Sequence, residues 1–436
     1  MTLSAPDTST SVHSGEGLDA PVTADVLVAG AGAAGLSAAL ALAKAGFSVV
    51  CVGYTDRRAN GRTVALFETS LRFYKSLGLW ERFRGKTAPL QRISMIDATG
   101  ARFKAPSVAF AAAEIGFSAF GENIENNVLV DGLVAAVNET PGIRLVEALL
   151  SDIRFEHDAV IAVTDAGQRI EAKLVAAADG RGSLSRAKAG IGARSWTYPQ
   201  TALTALLSHA RPHRNISTEF HTRSGPCTLV PLRPLPDAPH RSSLVWLMSA
   251  EDADRRRALD PEALAREVEI QVDHLLGAMA IDGPSGFFPM AGMSVDRLYA
   301  HRVALIGEAA HVFPPLAAQG LNLSLRDSAA LVEALEDARE QGKDIGERQT
   351  LKAYANARKG DISLRTNGVD ILNRSLLSDF IPVDVARGAG MFAFLMIGPL
   401  RRALMREGIL THGSLPRLMQ PRPRRRSLTS GAGAQH

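Results

Sequence analysis

The stretch Asp25-Val26-Leu27-Val28-Ala29-Gly30-Ala31-Gly32-Ala33-Ala34-Gly35 decides the fold of this chain. Its first half is a short, mostly apolar run suited to a buried strand. Its second half is a Gly-x-Gly-x-x-Gly turn. An Ala/Leu-rich helix from Leu36 to Lys44 follows, Gly46 ends it, and Phe47 to Val52 is a second strand. Strand, turn, helix and strand within about 30 residues open a parallel α/β sheet. Gly30 permits the tight turn, Gly32 lets the backbone approach a pyrophosphate, and Gly35 lets the helix pack close to the strand. Ala33 and Ala34 open the helix, where unpaired N–H groups and the positive dipole end face phosphate.

The next expected feature is missing. The end of the second strand ordinarily carries an acid for ribose hydroxyls. That place is Gly53 here, with Asp56, Arg57 and Arg58 just beyond it. An absent acid followed by arginines is also how a 2′-phosphate site reads. The turn alone therefore leaves the dinucleotide open.

Outward from the turn, 436 residues exceed the usual single domain, so two domains are expected. A helix is predicted over Glu68 to Leu77, a hairpin over Ile93 to Phe103 turning at Thr99-Gly100, and a helix over Val128 to Asn138. The strand Leu174 to Ala178 runs into Asp179-Gly180. From Trp196 to Phe288 the pattern changes, with strand-like runs at Thr228 to Leu232 and Ser243 to Met248 and a helix over Pro261 to Leu276. Val303 to Ile306 returns to a buried parallel-type strand ending at Gly307-Glu308, and a helix follows over Leu321 to Glu336. The fold class is α/β: a Rossmann-like dinucleotide domain with an inserted, mostly antiparallel β domain and a helical C-terminus. The expected boundaries are 21–92, 105–195 and 289–345 for the dinucleotide domain and 93–104 and 196–288 for the insertion. A helical region is expected over 346–412, with disordered tails at 1–20 and 413–436.

Composition narrows the function classes. Cys51 and Cys227 lie far apart, with no disulfide framework and no metal pattern, which fits a reducing cytoplasmic setting. No apolar run approaches the ~20 residues that span a bilayer, and the polar N-terminus lacks a secretory h-region. From Arg401 to Arg426 eight arginines face one acid, Glu407; that net +7 leaves −3 for the rest of a chain whose net charge is +4. A mildly acidic body with a basic tail argues against nucleic-acid binding.

Three separated elements then come together: Gly30-x-Gly32-x-x-Gly35, Asp179-Gly180, and Gly307-Glu308-Ala309-Ala310-His311-x-x-x-Pro315 followed by Gln319-Gly320-Leu321-Asn322. Asp327, Arg62-Thr63-Val64-Ala65-Leu66, Tyr354-x-x-x-Arg358 and Asp370-x-Leu372-Asn373 add to them. From about Val22 to Leu410 the chain resembles the class A flavoprotein monooxygenases, most closely the ubiquinone-biosynthesis hydroxylases. The resemblance implies FAD as cofactor, NADH or NADPH as a transient reductant, dioxygen, and a prenylated phenol as substrate. It implies that the flavin, and no named side chain, carries the oxygen chemistry, with Arg62 and Pro315 in support.

The same resemblance assigns the remaining residues. Gly307-Glu308 would hold the ribitol chain, with Glu308 where Asp is usual; its plainer reading is a cap on the following helix. Gly320, Leu321 and Asn322 would hold the flavin pyrimidine oxygen through backbone N–H groups, and Ala318 stands where glycine is common. Arg62 would lie near the flavin, or be an exposed loop charge. Asp179 would lie near FAD and the nicotinamide donor, or simply form an Asp-Gly turn. Asn126 matches a loop asparagine, with Asn127 beside it. His311 is expected to be structural and bonded to backbone. Phe220, Trp246, Phe287 and Phe288 line the substrate pocket or are plain core.

The sequence leaves two other readings open: a flavin-dependent reductase of prenyl double bonds, and a non-catalytic flavoprotein subunit of a biosynthetic complex. The apolar run Gly390 to Leu400 beside Arg401, Arg402, Arg406, Arg417, Arg422, Arg424, Arg425 and Arg426 is expected to dock on the inner face of a membrane or to pack on the FAD domain.

Overall fold

The strand that opens the sequence motif, Val22–Ala29, lies at the centre of a sheet. In the computed structural model, which describes residues 21–57, 61–100, 106–314, 319–376, 398–409 and 415–421, it pairs in parallel with Arg169–Ala177 on one side and Val49–Val52 on the other. Val303–Leu305 extends the parallel run beyond Arg169–Ala177, and Ile143–Val146 extends it beyond Val49–Val52. The antiparallel strands Leu150–Phe155, Val160–Thr164 and Tyr299–Ala300 bring the sheet to eight strands. Parallel strands covered on both faces need apolar side chains on both. Val26 and Val28 face the cluster closed by Leu36, Leu129 and Leu331 of three helices, and Leu27 and Ala29 face a second cluster with Ile153, Ile170 and Ile191.

The predicted insertion is a nine-stranded sheet. Its hub is the 17-residue strand Ala193–His209, which pairs antiparallel with Arg241–Ser249, Met279–Ile281 and Gly286–Val295. The helix Pro261–Gln271 closes its core over Leu203, Leu229, Leu244 and Trp246. A small third sheet joins Thr63–Phe67, Ala88–Pro89 and Gly121–Glu125.

The expected borders shift in two places. Arg92–Asp97 pairs with Val108–Ala111, beyond the hairpin read over Ile93 to Phe103, and its other edge pairs in parallel with the distant Ile216–Thr222. Val108–Ala111 thus belongs to the second sheet. Gly286–Val295 and His311–Val312 also cross the border drawn at 288. These strands all belong to the nine-stranded sheet, which therefore reaches past the border expected at 288.

The helix Gly398–Ile409 packs through Met405 among Phe67, Leu90 and Phe120. Its Arg401 lies over the Phe110 ring at 4.7 Å and bonds to Glu114 at 2.7 Å. Arg417 bonds to Asp337 and Glu336, and Met419 is fully buried. Two arginines expected at a membrane surface are therefore committed to the protein's own carboxylates. Residues 1–20, 377–397 and 422–436, with most of the apolar run and the last four arginines, lie outside the described residues.

Candidate functional site

Gly30, Asp179 and Gly307 each follow the carboxyl end of one of three adjacent parallel strands. Crevices outside those ends are where open α/β sheets bind ligands. The packing there is tight enough to explain the glycines. Gly30 has φ +104°, and a Cβ on it would lie 2.3 Å from the Ala178 oxygen. A Cβ on Gly35 would lie 1.9 Å from the Gly30 oxygen. One on Gly307 would meet Ser324 Oγ at 2.6 Å and Ala34 Cβ at 3.7 Å. Segments about 270 residues apart thus lie close together at the start of the first helix, with no room for a side chain on Gly307.

Gly32 is different. A Cβ there would touch nothing within 4 Å, so the protein itself does not require this glycine. It is the N-cap of helix Ala33–Lys44 and caps it with no side-chain hydrogen bond. Open space therefore lies over a helix start whose first-turn N–H groups have no side-chain partner, and a pyrophosphate fits that space and those donors.

The Gly307 turn is held from behind by a buried ionic network. Asp327 is fully buried and accepts from Gly307 N–H at 3.0 Å, His311 Nε2 at 2.8 Å and Arg358 Nε at 2.8 Å. Burial alone would raise its pKa, but the facing His311 and Arg358 hold it below the usual carboxylate value. Arg358 continues to Asp361, which also bonds Arg326, and Tyr354 donates to the Leu305 oxygen at 2.6 Å. His311 is buried, and its side-chain partner is the Asp327 carboxylate where backbone was expected. Its ring stacks on Phe313 at 5.9 Å.

The other predicted residues divide. Glu308 is exposed in a 3-10 turn, Gly307–Ala309, with no partner among the described residues. Gly320, Leu321 and Asn322 lie in the first turn of helix Gln319–Glu340. The buried Asn322 side chain accepts from Phe67 N–H and Ser70 Oγ and donates to the Ala65 oxygen, tying this helix to the strand and helix after Arg62. That role of the side chain was not legible from sequence, because it needs a partner some 250 residues away. Asp179 accepts from Ser183 Oγ and Ser185 N–H, so its carboxylate fixes its own turn. Asn126 is not in a loop: it opens helix Asn126–Glu139 and donates its N–H to the Arg62 oxygen at 3.1 Å. Arg62 is half-exposed, 3.9 Å from Asp56 and over the Phe288 ring at 5.6 Å, at the join between the two large sheets. Phe220 and Trp246 are core, and Phe287 packs against that core; Phe288 alone of the four meets a site residue. Pro315 and Ala318 lie outside the described residues. Cys51 and Cys227 are both buried and unpaired, and burial pushes the Cys51 thiol up to about 12.

A family model described as an FAD binding domain matches residues 23–361. The chain is 34% identical over 410 residues to ubiquinone hydroxylase UbiL of Rhodospirillum rubrum, covering 92% of this chain and 93% of that protein. It is 27% identical to 3-demethoxyubiquinol 3-hydroxylase of Escherichia coli, covering 88% of this chain and 98% of that one. Among solved structures, p-nitrophenol 4-monooxygenase PnpA of Pseudomonas putida superposes with a TM-score of 0.72 at 20% identity, covering 90% of this chain and all of that one. A point variant of Klebsiella pneumoniae HpxO complexed with FAD gives 0.70 at 20% identity over 89% and 99%. The two structures are alike in fold.

Proposed function

We propose, from the premise that this chain belongs to the FAD-binding-domain family and is an FAD-dependent aromatic-ring monooxygenase, that its substrate is a polyprenylated phenol on the way to ubiquinone. The observation that carries the substrate class is the likeness to the Rhodospirillum rubrum ubiquinone hydroxylase along nearly the whole chain. When bound and reduced by NADH or NADPH, FAD supplies the chemistry that activates dioxygen and delivers one oxygen atom to an electron-rich ring.

The residues of this chain have the supporting tasks. First-turn N–H groups of Ala33, Ala34 and Gly35 would hold the pyrophosphate, and Glu308 would accept from the ribitol hydroxyls. The N-terminus of helix Gln319–Glu340, with Gly320, Leu321 and Asn322, would offer N–H groups and a positive dipole end to a reduced, anionic ring. Arg62 would set the edge of the ring pocket against Phe288. The second sheet would roof the pocket and exclude water.

The test is oxidation of NADH and of NADPH by the purified protein with and without a prenylphenol. A severalfold stimulation by the phenol is expected. No stimulation with either reductant would favour a non-catalytic flavoprotein. In the finer reading, the substrate arrives from a membrane surface and in the company of other enzymes that act on it. No helix among the described residues is long and apolar enough to cross a membrane. The exposed Arg402 and Arg406, with Arg422, Arg424, Arg425 and Arg426, would attract anionic headgroups at about 1 kcal/mol each.

A further inference from the structure

Gly53 stands where an acid ordinarily holds the adenosine ribose, and the fold leaves no room for one. The phosphate turn folds back onto the end of Val49–Val52. A Cβ on Gly53 would lie 2.5 Å from the Ala31 nitrogen and 3.2 Å from Ala31 Cβ. The acid is therefore excluded by this chain's own backbone.

The neighbouring strand offers a replacement. Val52 is in register with Val146, and Gly53 N–H donates to the Val146 oxygen at 3.0 Å. The chain therefore leaves these two strands side by side, with Tyr54 and Thr55 on one and Glu147, Ala148 and Leu149 on the other. Thr55 Oγ1 donates to Glu147 Oε1 at 3.4 Å, and Glu147 has no cation against it among the described residues. The other nearby carboxylates each face a guanidinium at 3.9 Å: Asp56 faces Arg62, and Asp131 faces Arg57. Tyr54 and Leu149 are 60% and 55% exposed, large apolar side chains left in water at the end of the sheet where the phosphate turn lies. The Leu149 backbone is pinned in both directions, its N–H to Asp165 Oδ1 at 3.1 Å and its oxygen to Asp165 N–H at 2.8 Å.

We propose that this chain recognises the adenosine end of FAD from the adjacent strand, with Glu147 accepting from the ribose hydroxyls and Tyr54 and Leu149 flanking the adenine. Strands lie about 4.8 Å apart, so moving the acid by one strand keeps it within reach of a nucleoside on the same pyrophosphate. A flat base between two otherwise exposed apolar side chains removes all three surfaces from water. The proposal rests on the FAD reading above, and it makes Asp56 a partner of Arg62 and not a ribose ligand.

The experiment titrates flavin-stripped, full-length protein with FAD and, in parallel, with FMN, which lacks the adenosine. Glu147→Gln should raise the Kd for FAD by about tenfold or more, the loss of one charged hydrogen bond, and leave the Kd for FMN unchanged. Tyr54→Ala should weaken FAD by about fivefold or more, again with FMN untouched. Asp56→Asn should change FAD binding less than twofold. A misfolded variant would lose both flavins, so the FAD-to-FMN ratio separates recognition from folding. Unchanged FAD affinity in Glu147→Gln, or a large loss in Asp56→Asn instead, would overturn the proposal while leaving the flavin reading intact. A wild-type protein that binds neither flavin would overturn both.

Discussion

Replacing Asp327 with Asn changes one atom and removes one buried charge, and the structure sets its cost. Asp327 receives three hydrogen bonds, two of them from side chains that are themselves nearly inaccessible, His311 and Arg358. Breaking a buried ion pair by neutralising one partner costs about 3–5 kcal/mol, because the other charge is left without compensation. Arg358 keeps a second carboxylate, Asp361, at 2.9 Å, which places the expected loss near the lower end of that range. The damage is local as well as global, since the same carboxylate fixes the Gly307 turn at φ +58°. Urea unfolding followed by circular dichroism should show the loss of stability, and flavin fluorescence should show FAD released at lower urea than in wild type. The pH dependence has a defined sign. The folded pKa of Asp327 lies below its unfolded value, so its stabilisation is present above about pH 4 and is lost as pH falls through the folded pKa. The Asn variant should lack that acid-dependent step. A variant that loses less than about 1 kcal/mol and keeps wild-type FAD affinity would refute the role given to this network.

Other outcomes follow from the same geometry. Gly32→Glu should give a folded but colourless protein, because a carboxylate would occupy the open space over the first helical turn; full FAD retention would contradict the pyrophosphate assignment. Gly53→Asp, which restores the usual ribose acid, should weaken FAD binding and cost about 1–3 kcal/mol through its clash with Ala31, read from the FAD titration and the urea midpoint; tighter FAD binding would show that the clash is relieved. Arg401→Glu sets two acids against each other at Glu114 and should make the helix Gly398–Ile409 a site of rapid limited proteolysis, while an unchanged digestion pattern would show that this contact is dispensable. Co-sedimentation with anionic vesicles at low salt should persist in Arg401→Glu and fall in a chain ending after Gln420, because Arg401 is already paired with Glu114 and the shortened chain lacks Arg422, Arg424, Arg425 and Arg426; equal binding by both would remove the tail from the docking surface.

The opening strand, the phosphate turn and the first helix were legible because their signals are local: an apolar run, a glycine spacing and a helical stretch. The helix over Glu68–Leu77 falls where its sequence pattern places it. The edges of the second sheet were not legible, because Arg92–Asp97 pairs with Ile216–Thr222 more than a hundred residues away. The absence of an acid at Gly53 was visible, but its cause was not, since the atom that excludes a side chain belongs to Ala31 across the turn. Asp56 lies only three residues beyond Gly53 in sequence, and only the folded chain shows Arg62 facing it. The anchoring of Met405 and Met419 was hidden for the same reason: isolated methionines in an arginine-rich tail carry no periodic signal.

This protein transfers one atom of dioxygen to an aromatic ring. Incubation of the purified protein with a prenylphenol, NADH or NADPH and oxygen-18 gas tests it directly. The expected product is heavier by a single labelled oxygen atom and forms only when oxygen is present. A product that forms anaerobically, or that carries no label, would contradict it.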